Sequence, residues 1–98
     1  MNSKDLEIIQ EIINKYIDPS QNKVFVFGSQ ATDTARRSSD LDIGIEGSEL
    51  KPITYFDIKS AFEESDIPYI VDIVDFSKVT DNFQTIAKKK VLPINYKI

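Results

Sequence analysis

An apolar run, Val24-Phe25-Val26-Phe27, stops at Gly28-Ser29; ten residues later Asp40 and Asp42 open a second apolar run. The unbroken run predicts a strand buried on both faces over residues 23 to 28. In the second run Leu41, Ile43 and Ile45 alternate with Asp40, Asp42, Gly44 and Glu46. Side chains on a strand point to alternate faces, so residues 40 to 46 are predicted to form a strand with one polar face. Two strands of this kind, joined by a polar loop, need helices to cover their apolar sides. Residues 29 to 35 are expected to form a short helix whose N-terminus faces the end of the first strand.

The rest of the chain supplies those helices. Leu6, Ile9, Ile12, Ile13, Tyr16 and Ile17 share one face at helical spacing, so residues 3 to 17 are predicted as a helix capped by Ser3 and closed before Pro19. Thr54 with Asp57 has the form of a capping box and predicts a helix to about Ser65, buried along Tyr55, Ile58, Ala61 and Phe62. Pro68 marks the return to strand, and residues 69 to 76 form a third one. Residues 79 to 91 read as a last helix, capped by Thr80, ended by Pro93, with Phe83, Ile86, Ala87 and Val91 inward. The tail Ile94 to Ile98 either docks or pairs as an edge strand. Helix and strand alternate without repeat or linker, which predicts a single domain over 1–98 of the α/β (α+β) class: a small mixed β-sheet with helices packed on one side.

Composition narrows the chemistry. The chain has 98 residues and no cysteine or histidine. There is thus no disulfide framework, no thiolate metal site and no imidazole base. Acid–base or metal work must run on carboxylates, whose hard oxygens suit Mg²⁺ or Mn²⁺. The net charge of −4 argues against broad nucleic-acid binding. No apolar run is long enough to span a bilayer, and acids stand where a secretory signal would be apolar, so a cytoplasmic protein is expected. Lys88, Lys89 and Lys90 read as the solvated last turn of a helix, complementing its dipole.

Asp40 and Asp42 carry the most specific signal. At i and i+2 of a strand their carboxylates share a face, where like charges repel unless a cation lies between them. Gly28 allows a sharp turn and close approach of backbone to a phosphate. Ser29 offers a hydroxyl and an amide at a helix mouth, where anions are favoured. In the third strand, Asp72 lies between apolar neighbours, where an acid is costly unless paired or metal-bound. Asp75 lies three positions on and faces the opposite way on a regular strand.

The pattern Gly28-Ser29, ten residues, Asp40-x-Asp42 resembles the signature of the nucleotidyltransferase superfamily that includes DNA polymerase beta. It is closest to the minimal nucleotidyltransferases, and the resemblance covers most of the chain. It implies the nucleotidyltransferase fold and two-metal nucleotidyl transfer. By that resemblance Asp40 and Asp42 hold Mg²⁺ (or Mn²⁺) on ATP, and Gly28, Ser29, Gln30 and Arg36 contact the nucleotide. Asp72 is the expected third carboxylate, both metal ligand and base toward the acceptor hydroxyl, with Asp75 the alternative. Asp33 stands where the family has a second loop glycine, and Gln30 where many members carry arginine. The segment from Phe56 to Phe76 resembles the members paired with a helical-bundle protein of the HEPN class, as antitoxin to an RNase toxin. This implies transfer of AMP from ATP to a hydroxyl of that partner, within a homodimer or a heteromer. The other reading is a nucleotide-binding subunit of little or no activity that acts by complex formation.

Overall fold

The computed structural model describes residues 2–31 and 40–97. Helix α1 (Ser3–Tyr16) leads into strand β1 (Asn22–Phe27), which ends in a single 3-10 turn (Gly28–Gln30). Strand β2 (Asp40–Gly47), helix α2 (Pro52–Glu64), strand β3 (Ile70–Asp75), helix α3 (Asp81–Ala87) and a short strand β4 (Leu92–Pro93) follow. The four strands form one sheet in the order β3-β2-β1-β4. β2 runs antiparallel to β1 and parallel to β3, and β4 runs antiparallel to β1. The sheet is therefore mixed, as expected, with α2 as the crossover between the parallel pair.

Alternation along the strands divides the core in two. Val24, Val26, Leu41, Ile43, Ile45, Val71 and Ile73 face Ile9 and Ile13 of α1 and Ile58 and Phe62 of α2. Each of those helix side chains is almost fully enclosed, contributing about 1.5–3 kcal/mol of apolar burial. On the opposite face Phe25 and Phe27 meet Phe76, with Val74 and Ala87 beside them. The Phe25 and Phe76 rings meet edge-on at 5.0 Å, an arrangement aromatic quadrupoles favour. Gly44 makes room for them: a Cβ there would lie 2.5 Å from Phe25 and 2.6 Å from Phe76. So α1 and α2 cover one side of the sheet, while α3 leans on part of the other and leaves its β2–β3 end open.

Several local expectations change in three dimensions. The cap of α1 is Asn2, whose side chain accepts from the Asp5 amide, rather than Ser3. Its buried stripe holds. The Thr54–Asp57 capping box does not form, because α2 starts two residues earlier with Pro52 at its first turn; proline needs no amide partner there. Tyr55 of the expected stripe stays partly exposed. Thr80 does cap α3, accepting from the Phe83 amide at 3.1 Å, but that helix stops at Ala87. Pro93 does not end it; it lies in β4, opposite Phe25 at the sheet edge, where the missing amide costs no ladder bond. The edge strand lies just before the tail, at Leu92–Pro93, and the tail docks: Ile94 is buried, and the Asn95 side chain accepts from the Val24 amide and donates to the Asn22 carbonyl. Of the helix expected from Ser29 to Ala35, the described part is the 3-10 turn alone, and residues 32–39 lie outside the described residues.

Candidate active site

Three strand ends meet at the open end of the sheet. Asp42 is the cross-strand partner of Phe27, the last residue of β1, and also of Asp72 on β3. The Asp42–Asp72 pair arises because β2 and β3 run parallel in a register that matches Leu41 with Val71 and Ile43 with Ile73, burying all four in the helix-covered core. With the apolar residues so placed, the two acids between them must share the opposite face.

Asp40 begins β2 on that same face, opposite Ile70. Its backbone is held by Gln30, whose side-chain amide donates to the Asp40 carbonyl at 3.2 Å. Gln30 is buried, so it braces the carboxylate-bearing strand against the turn. Gly28 has φ +73°, which side-chain-bearing residues rarely adopt. The room a Cβ would need is filled by the Asp42 carboxylate, 2.6 Å away. The turn and the acids are thus in direct contact.

Electrostatics follow from this crowding. Asp42 is half-buried. Burial first, and then the charges of Asp72 and Asp40, push its carboxyl above the ordinary value of 3.8. Asp40 and Asp72 are exposed. Among the described residues, no three acidic side chains converge closely enough to hold a metal ion as they stand. The donor set still fits a hard divalent cation: oxygen donors only, accessible to solvent, with a mutual repulsion that a cation would relieve.

Asp75 belongs to a different structure. Its carboxylate accepts from the Ser77 hydroxyl at 2.6 Å, the Ser77 amide at 2.9 Å and the Leu50 amide at 3.2 Å. It ties the end of β3 to the loop before α2. Burial raises its pKa, but the bonds from Ser77 and Leu50 and the charge of Lys78 outweigh that and leave it below 3.8. The Ser29 side chain, Asp33, Arg36 and Arg37 lie outside the described residues.

Some residues beside the site were read from their spacing as core. Phe83 and Ile86, expected inward, are 41% and 59% exposed. With Phe27, Gly28, Lys89 and Lys90 they border an apolar slot of about 430 Å³ that opens beside the turn. Lys88 pairs with Glu46. Ile70, next to Asp40 in register, is 67% exposed. In a seven-residue helix two turns of spacing cannot tell a core face from a slot wall. The one available signal was apolar side chains next to a lysine run.

The model of the family described as Polymerase beta, Nucleotidyltransferase matches residues 7–95. The chain belongs to this nucleotidyltransferase family. A curated relative from Haemophilus influenzae, named "Probable protein adenylyltransferase MntA", is 32% identical over 97% of this chain and 82% of its own length. Among solved structures, a toxin–antitoxin complex with AMP-PNP superposes with a TM-score of 0.72 at 21% identity, covering 91% of this chain and 71% of that one. The complex of tri-AMPylated Shewanella oneidensis HEPN toxin with MNT antitoxin gives 0.71 at 19% identity, over 96% and 71%. These structural likenesses show a shared fold over most of the chain.

Proposed function

We propose that this nucleotidyltransferase transfers AMP from ATP to a hydroxyl on a helical-bundle partner of the HEPN class, acting as the antitoxin of the pair. Support comes from the relative named a protein adenylyltransferase and from the fold shared with an antitoxin bound to an AMPylated toxin. The observation within the chain that carries the reading is the pairing of Asp42 with Asp72 beside Gly28.

Asp40, Asp42 and Asp72 are the residues that would hold Mg²⁺ or Mn²⁺. When bound, such ions offset the charge of the phosphates and lower the pKa of an oxygen they contact. The Gly28–Gln30 turn receives the outer phosphates, with Ser29 and Arg36 as further nucleotide contacts. Asp72 accepts the proton of the acceptor hydroxyl. The acceptor oxygen forms a bond to the α-phosphorus, the bond from that phosphorus to the bridging oxygen breaks, and pyrophosphate leaves.

The second reading, an inactive binding subunit, draws on Gln30. Its amide braces Asp40 and brings no positive charge to the phosphates. One experiment separates the two. ATP labelled at the α-phosphate is incubated with Mg²⁺, the protein and its helical-bundle partner, with Asp40→Asn/Asp42→Asn as control. Label on the partner that the control loses supports the transferase. A stable unlabelled complex, equally formed by the control, supports the binding subunit.

A further inference from the structure

Asp72, the base of the proposed reaction, stands on a flank of the sheet. Among the described residues, β3 ends the strand order on that side. In a parallel pair, successive residues turn their backbone groups toward the neighbouring strand and then away from it. The Phe76 amide donates to the Ile45 carbonyl of β2 at 2.8 Å. Ile70, Asp72 and Val74, two, four and six residues before Phe76, therefore bond toward β2, and the amides and carbonyls of Val71 and Ile73 point outward. The Val71 carbonyl agrees with this alternation, since it accepts from the Lys59 side chain of α2 at 2.8 Å.

Side chains follow the same alternation. Val71 and Ile73 place theirs in the helix-covered core, whereas Ile70, Asp72 and Val74 place theirs on the open face. Ile70 is largely exposed there, although it is apolar. On the helix side, Phe56 lies one turn before Lys59 on the same stripe of α2 and is 64% exposed. Beside that stripe a hollow of about 210 Å³ lies between Lys59 and Glu63 of α2 and the start of β3. The flank of β3 thus offers outward backbone groups, an apolar contact on each side and the Asp72 carboxylate.

We infer that the acceptor hydroxyl reaches this site on an extended segment of the partner, which adds to the flank of β3 as a further strand with its hydroxyl-bearing residue facing Asp72. The inference rests on the transferase reading of the carboxylate site and adds how the acceptor is presented. Residues opposite each other on adjacent strands have Cβ atoms about 4.5–5.5 Å apart, and diagonal neighbours stay within reach of long side chains. A hydroxyl on the added strand therefore comes within bonding reach of Asp72. Its proton passes to the Asp72 carboxylate and its oxygen bonds to the α-phosphorus of ATP. The bond from that phosphorus to the bridging oxygen breaks, and pyrophosphate leaves. Backbone bonds to Val71 and Ile73 hold the segment, while Phe56 and Ile70 select among segments by their side chains. A second copy of this chain fits the flank less well. Antiparallel pairing of β3 with itself, centred on Asp72 or Ile73, sets the two Asp72 carboxylates opposite or diagonal to each other, where like charges repel.

The test incubates the whole chain with Mg²⁺, ATP labelled at the α-phosphate and the helical-bundle partner, and mass spectrometry locates the labelled residue. A synthetic peptide of about nine residues centred on that residue, the length of one strand, then replaces the partner. Single N-methyl groups are placed on its successive amides. The expected result alternates: N-methylation lowers labelling by about tenfold or more at every second amide and has little effect at those between. Phe56→Ser and Ile70→Ser change exposed positions, and circular dichroism checks their folding. Each raises the KM for peptide and partner by about tenfold, with kcat and the KM for ATP unchanged. N-methyl effects without alternation overturn the inference, as does a folded partner that is labelled while its peptide is not. Parent-like KM values in both variants overturn it too; if sedimentation then shows that the variants have lost a dimer of this chain, the flank joins two copies. Absence of label with the unaltered protein overturns the transferase reading together with this one, whereas label that ignores the flank overturns only this one.

Discussion

Asp42 and Asp72 are cross-strand partners in a parallel register, and the pairing is forced from the other side of the sheet. Leu41 with Val71 and Ile43 with Ile73 must face α1 and α2, so the acids must face each other. A slip of β3 by one residue would bury Asp72 and turn Val71 and Ile73 to solvent. The stability of the core thus holds together a pair of like charges that would otherwise separate.

That pair sets the first prediction. Because the folded pKa of Asp42 is raised, the protonated form favours the fold. Its contribution is full below the unfolded value near 3.8 and is lost as pH rises through the higher folded value. Without divalent cations, Asp42→Asn therefore raises the Tm near neutral pH, and the gain shrinks as pH falls toward the unfolded value. With Mg²⁺ the order reverses, since only the parent protein gains stability by binding. Thermal unfolding with chelator and with excess Mg²⁺ checks both arms.

Asp72 and Asp75, three residues apart, are expected to fail in opposite ways. Asp72 is exposed, so Asp72→Ala leaves stability within about 0.5 kcal/mol while AMP transfer falls by about a hundredfold or more. Asp75→Ala strands the Leu50 and Ser77 amides and costs about 1–2 kcal/mol, with transfer retained below the transition. The Asp75 pKa is lowered, so its stabilisation is present above about 3.8 and is lost as pH falls through the folded value. Urea unfolding at neutral and acid pH measures it; equal stability of the Asp75→Ala and parent proteins would refute the assignment.

Gly28→Ala tests the contact between turn and acid. The φ of +73° costs an alanine about 1 kcal/mol, and the new methyl drives the Asp42 carboxylate from its place. The expected outcome is a modest loss of Tm with a larger loss of Mg²⁺-dependent nucleotide binding. Gly44→Ala gives the converse. Its methyl meets the Phe25 and Phe76 rings rather than a carboxylate, so it costs about 1–3 kcal/mol through overpacking with Asp40, Asp42 and Asp72 untouched.

Asn95→Ala tests the closing of the sheet edge. The side chain satisfies the Val24 amide and the Asn22 carbonyl at once. Its loss is expected to cost about 1–3 kcal/mol and to raise hydrogen exchange at Val24 before the rest of β1. Unchanged exchange there would mean that Ile94 and β4 hold the tail without it.

Much of the architecture was legible because it repeats. The stripe of α1 and the alternation in β2 encode which faces are buried, and hydrophobic burial enforces both. The spacing of Gly28, Asp40 and Asp42 was legible because it is local to one strand–loop–strand unit. Helix starts were less so, since Asn2 and Pro52 compete with equally good caps at Ser3 and Thr54, and only packing decides between them.

By itself, then, the sequence determined the fold class, the family and the acids on one face of β2, because these depend on periodicity and short-range spacing. The tertiary structure decided that Asp72 rather than Asp75 meets Asp42, because strand register is a contact between distant segments. It also decided that Asp75 fastens a loop, that Pro93 lies in an edge strand, and that Phe83 and Ile86 border a slot rather than the core. Each of these depends on which surface a short segment finds when the chain closes, and that is set by the packing of the whole sheet rather than by the segment.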